Sequence, residues 1–186
     1  MRLLLLFFTL SILSSRVQDV SQKTLDEEYK IVNLVLDDIN AERFIFFDEK
    51  YTFSLNTGFK AYIYWYMKYL ETGKSVPLAS KDIEWILDSE DIGDISINIE
   101  HETFKTRWDK TLIENPNLIY ASDRPDLVAL MNPPRPLRVH LSKPYLNKDE
   151  TKAVIFRVIG GNGFLILAKK VDGKWQLCGE IEYMFS

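Results

Sequence analysis

Two histidines, His101 and His140, and one cysteine, Cys178, are the side chains of this 186-residue sequence best suited to move protons or attack a substrate. On an extended strand His140 shares one face with Arg138 and Ser142. A serine beside an imidazole, with a carboxylate near, is the raw material of a hydroxyl nucleophile. No Gly-x-Ser-x-Gly turn surrounds Ser142, however, and that residue leads into Pro144 at a strand end. A Cys178–His140 thiol dyad is the other arrangement. Cys178 falls in an apolar strand, where a thiol behaves as a small buried hydrophobe. The sequence therefore names no catalytic residue.

Metal and phosphate chemistry fare no better. The acidic run Asp88-Ser-Glu-Asp91-Ile-Gly-Asp94 lacks the alternating ligands and distal glutamate of a calcium loop, and reads as a solvated helix end and turn. His101 and Glu102 are adjacent, so on a strand they point apart. Gly160-Gly-Asn-Gly163 has no lysine and sits between strands, which makes it a hairpin and not a phosphate loop. No metal and no cofactor are expected. The aromatic run Phe59, Tyr62, Tyr64, Trp65, Tyr66, Tyr69 offers the residue types that carbohydrate and peptide sites use, although a core needs them too. Helical spacing puts Tyr64 on a solvated face between Lys60 and Lys68. Tyr64, with Tyr62, Trp65 and His140, forms the candidate ligand-binding set.

The elements that must position these residues follow from spacing. Thr24-Leu-Asp-Glu27 reads as a capping box, and Leu25, Tyr29, Val32, Leu36 and Ile39 continue it as a helix over 24–39. Residues 43–47 read as a strand with a partner at 51–55, and 59–70 as a helix started by Asn56 or Thr57 and stopped by Gly73. Ser80 starts a short third helix through Ile83, Ile86 and Leu87 to Asp88. Ile95, Ile97 and Ile99 alternate with polar residues as a half-buried strand, another strand lies near 118–121, and the prolines of 132–136 make an extended connection.

Four strands close the chain, at 137–141, 152–159, 164–170 and 174–185. Asp172-Gly173 is a two-residue hairpin turn, which sets Ala168 opposite Leu177, Leu167 opposite Cys178 and Leu165 opposite Glu180. A symmetric four-residue glycine turn sets Ile159 opposite Phe164 and Phe156 opposite Leu167. One face then carries Ile155, Phe164, Ile166, Trp175, Leu177 and Ile181; the other carries Val154, Phe156, Val158, Leu165, Leu167 and Cys178. A meander apolar on both faces needs cover on both, and the helices at 24–39 and 59–70 are the covers available.

At the N-terminus Arg2 precedes an apolar run, Leu3 to Leu13, too short to span a membrane and shaped like a secretory leader. Residues 1–17 are read as that leader, with cuts after Ser14, Ser15 or Val17 all acceptable, and 18–186 as one domain. No lipobox cysteine follows it, so the expected product is exported and soluble in the periplasm or outside the cell, with no transmembrane segment in the mature chain. Cys178 being alone, no internal disulfide forms. The hydrophobic fraction of 46% is that of a globular chain. Net charge is −4, and −6 without Arg2 and Arg16, which argues against a nucleic acid partner. Residues 18–136 are net −9 and 137–186 net +3, two parts of opposite sign that are expected to pack on each other.

The C-terminal segments Ser142-Lys-Pro144, Asn147-Lys-Asp149-Glu-Thr-Lys-Ala153, Gly160-Gly-Asn-Gly163, Leu167-Ala-Lys-Lys170 and Gly173-Lys-Trp175 resemble those of a group of small exported bacterial proteins of uncharacterised function. Many members carry a cysteine pair in the glycine-rich hairpin, which this chain lacks. The resemblance implies no activity. The expected fold is α+β, with N-terminal helices packed on a C-terminal antiparallel β-meander; a cone of the nuclear-transport-factor-2-like kind is an analogue. The leading functional expectation is a non-catalytic module binding a protein or small ligand in the envelope. An exported hydrolase using His140 and a structural envelope-associated protein are the alternatives.

Overall fold

The computed structural model describes residues 23–47, 55–74, 83–100, 108–128 and 136–184. Residues 23–37 form a helix, α1. Then come β1 (Phe44–Phe47), α2 (Leu55–Thr72), α3 (Ser89–Glu100), a 3-10 turn (Lys110–Leu112), β2 (Leu118–Tyr120), the single turn α4 (Pro125–Val128), β3 (Leu137–Leu141), β4 (Tyr145–Leu146), β5 (Lys152–Ile159), β6 (Asn162–Val171) and β7 (Lys174–Met184). The leader, residues 51–54 of the expected second strand, Ser80, His101, Glu102 and most of the proline segment lie outside the described residues.

One seven-stranded sheet runs β2-β1-β3-β5-β6-β7, with β4 also paired to β5. The fold is α+β, and β5, β6 and β7 form the antiparallel meander that the strand pattern predicts. β1 is parallel to both β2 and β3, a non-local pairing that strand propensity does not encode. Each face has its own core. Tyr29, Ile31, Val32, Val35 and Leu36 of α1 pack on Val139, Leu141, Ala153, Ile155, Ile166, Ala168 and Trp175. Phe59 and Tyr62 of α2, with Ile95 and Ile99 of α3, pack on Val154, Phe156, Leu165, Leu167, Cys178 and Ile181. Helices thus cover both faces, where a cone of the nuclear-transport-factor-2-like kind carries them on its concave side.

Five local expectations change. α1 is already helical at residue 23, so Thr24 lies within the helix and not at its N-cap: its hydroxyl donates to Glu150 Oε1 at 2.6 Å, and Glu27 turns to Trp175 and Lys170. Residues 83–88 form no helix, and α3 takes the stretch read as a strand. Ile95 and Ile99 satisfy both periods, since i and i+4 share a helix face, while Ile97 is exposed. What decides it is Asp88, whose Oδ1 accepts from the Glu90 and Asp91 amides at 3.0 Å while Asp91 Oδ2 accepts from the Asp88 amide at 3.1 Å. That reciprocal cap is built from two aspartates.

The other two changes concern register. Gly160 and Gly161, at φ 61° and 104°, make a two-residue turn, so Phe156 faces Leu165; the slip of two keeps each side chain on its expected face. In β7, Ala168 opposes Leu177 as expected, but Leu167 opposes Gly179 and Leu165 opposes Ile181. Cys178 is the extra residue of a β-bulge, with Gly179 at φ 136° beside it. The bulge moves Ile181 from its expected face into the α2-side core.

The two oppositely charged parts do meet. Glu27 pairs with Lys170, Asp91 with Lys152, and Asp38 with Arg157.

Candidate functional site

Aromatic residues hold α2 in place. Gly58 lets the helix approach the sheet closely: a Cβ there would lie 2.7 Å from Phe156 Cε1 and 2.8 Å from Tyr183 Cε1. Phe59 and Tyr62 point inward, stacked at 5.9 Å between ring centres. Trp85, from the segment before α3, fills the space beside Tyr62, Tyr66 and Tyr69, at 5.4–5.5 Å from each. Gly73, at φ 64°, ends the helix by donating its N–H to the Tyr69 carbonyl at 2.7 Å, in the place its sequence position implies.

This seating sorts the sequence-predicted residues. Tyr62 is fully buried, so it presents no surface to a ligand and is corrected to a core residue; burial raises its phenol pKa above the usual value. Trp65 is half-buried, with Tyr64 edge-on to it at 5.1 Å. Tyr64 faces solvent at 55% exposure, and Met67 and Leu70 at 57% and 64% continue the stripe at i+3 and i+6. Around them stand exposed Lys60, Lys68, Glu71 and Lys74, with Lys68 paired to Glu71 at 2.9 Å. Glu71 holds the Lys68 ammonium above its usual pKa. The sequence singled out Tyr64. It missed Met67 and Leu70, whose spacing from Tyr64 was the available signal.

His140 lies apart from this helix, on β3, with its ring flat against Phe47 at 4.0 Å between centres. Burial, and then the charge of Arg138, push its pKa down to about 4, so the imidazole is neutral at ordinary pH. Ser142 is fully buried. Its hydroxyl donates to the Lys143 carbonyl at 2.7 Å and accepts from the Phe156 amide at 3.0 Å. The serine thus carries the strand ladder across the break between β3 and β4, and its proton is committed to a carbonyl. Cys178 is buried in the bulge, and that burial raises its thiol pKa. Among the described residues, then, neither Ser142 nor Cys178 is set up as a nucleophile. Asp88 and Asp91 are occupied as helix caps, and no group of three His, Cys, Asp or Glu comes together among the described residues as a metal site.

Sequence reasoning also passed over two polar networks. In one, Glu27 binds Trp175 and Lys170. In the other, Asn147 ties the turn after β4 to Asp91 at the head of α3. Both connect residues more than fifty positions apart, beyond any local pattern. Among the described residues no helix is long and apolar enough to cross a membrane. No protein family, no curated protein and no solved structure matches this chain.

Proposed function

We propose that this chain is an exported, non-catalytic module that docks a protein partner on the outer face of α2. One observation carries the reading: Tyr64, Met67 and Leu70 form an exposed apolar stripe on a helix whose opposite side is already packed. Large apolar side chains grouped on a surface mark interaction sites, and Tyr and Met are enriched where interfaces are driest. Among the described residues Lys60, Lys68 and Lys74 outnumber Glu71 around the stripe, so the partner that fits is an apolar protein surface edged with carboxylates. Export rests on the leader-like run Leu3 to Leu13, and periplasmic or extracellular residence follows from it. Kinship with the small exported bacterial proteins described above belongs to the same proposal and rests on the C-terminal turn and strand motifs.

A photo-reactive phenylalanine analogue placed at position 64, and at exposed Lys174 as control, tests this in the native cells. The proposal expects a discrete heavier adduct from position 64 that Leu70→Glu abolishes, and none from position 174. Equal labelling from both positions, no adduct from position 64, or an adduct of twice the chain's own mass would overturn it.

A further inference from the structure

Of the side chains described, Met67 and Cys178 carry sulfur, and their surroundings are opposite. Cys178 is buried in the bulge of β7, and burial raises its thiol pKa, so little of it is the thiolate that oxidants attack. The thioether of Met67 needs no deprotonation, and it stands in the open. Every residue from Met67 to Lys74 is exposed, Met67 itself at 57%. An oxidant therefore reaches this sulfur without any opening of the fold. An exported chain also works where the thiol reductants of the cytoplasm are absent.

We propose that oxidation of Met67 to its sulfoxide by hydrogen peroxide switches off docking at the α2 face, a regulation that rests on the docking function proposed above. A lone pair of the sulfur attacks one peroxide oxygen, and the O–O bond breaks as the S–O bond forms. The second oxygen leaves as water after taking the proton carried over with the first. Sulfur is oxidised, peroxide is reduced, and no other reagent is needed. Position decides the consequence. Met67 lies three residues after Tyr64 and three before Leu70, in the middle of the stripe, so the new S=O acceptor falls where a partner must exclude water. A flexible apolar side chain becomes a polar one at the point of contact. Lys68, next to it in sequence, is already paired with Glu71, and an apolar partner surface supplies no donor. Met67 belongs to neither core, so the sulfoxide leaves the fold itself undisturbed.

For the test, the full chain with the photo-reactive analogue at position 64 is treated with hydrogen peroxide, cleared of it with catalase and added to envelope extract of the native cells. Peptide mapping should show Met67 gaining one oxygen at a rate within about threefold of that of free methionine. The yield of the adduct should then fall about tenfold or more, with thermal unfolding unchanged. The same chain carrying Met67→Leu, whatever its own yield, should give equal yields before and after peroxide, although its other methionines remain open to oxidation. A Met67 that resists peroxide, an oxidised chain that still docks, or an equal loss in Met67→Leu would overturn the proposal. An untreated chain that gives no adduct would remove the docking function and this regulation with it, so the two failures are told apart.

Discussion

Replacing Glu27 with Gln will destabilise the protein by about 3 kcal/mol at neutral pH, and acid will erase most of that difference. Glu27 is 7% exposed. Burial by itself would oppose its charge, yet hydrogen bonds from Lys170, Lys30 and Trp175 hold its carboxyl down at about 2, against an ordinary 4.5. Trp175 Nε1 donates to Oε2 at 2.6 Å, and Lys170 reaches the same oxygen at 2.6 Å while lying 5.0 Å above the Trp175 ring. Lys30, largely in solvent, adds little. Because the native pKa is depressed, the unfolded chain takes up the proton first. The stabilisation is complete above pH 4.5 and is lost as pH falls toward 2. Urea unfolding of both proteins across that range is the measurement. A gap independent of pH, or below about 1 kcal/mol at neutrality, would show that the carboxylate does not join α1 to the β6–β7 hairpin.

Asn147→Ala should be about as damaging, at about 3 kcal/mol or more, for a different reason. Asn147 Oδ1 accepts from the amides of Thr151 and Lys152, both at 2.9 Å, which shapes the turn that puts Glu150 at φ 53°. Its Nδ2 donates to Asp91 Oδ1 at 2.8 Å, and Lys152 Nζ takes the other oxygen of Asp91 at 2.6 Å. Burial opposes the charge on Asp91, but Lys152, Asn147 and the Asp88 amide together leave its pKa lowered. Alanine would strand two backbone donors and take the Asn147 partner from one oxygen of Asp91 at once. Asn147→Asp keeps the acceptor and loses the donor, setting one carboxylate against another. It should be strongly destabilised at neutral pH and recover relative to the native protein in mild acid, where the two share a proton. An Asn147→Asp protein as stable as the native one at neutral pH would contradict this assignment.

These two networks mark where sequence reading reaches its limit. β3 and β5 have the expected bounds, and the Asp172-Gly173 turn takes φ 49° and 76°, because hydrophobic runs and turn chemistry are local signals. Cover on both faces of the meander was legible for the same reason: Val154 and Ile155 are adjacent, apolar and both fully buried. Ile95, Ile97 and Ile99 misled because periods of 2 and 3.6 coincide at four residues, and the Asp88–Asp91 cap that separates them uses aspartate where glutamate is more usual. The Cys178 bulge was invisible, since a turn fixes register only until an extra residue intervenes. Of the candidate site, Tyr64 was legible from helical spacing. The stacking of His140 on Phe47 was not, because it needs β1 and β3 side by side, and those strands join through a parallel, non-local pairing.

The outer face of α2 carries the functional account, and the triple variant Tyr64→Ala, Met67→Ala, Leu70→Ala tests it most directly. Alanine is the better helix former at all three positions, and none contributes to either core, so unfolding stability should stay within about 1 kcal/mol of the native value. Affinity for the partner captured through position 64 should fall by about 100-fold or more. Full affinity in the triple variant would contradict the account, as would a loss of several kcal/mol in stability, since that would make these three residues part of the protein's own packing.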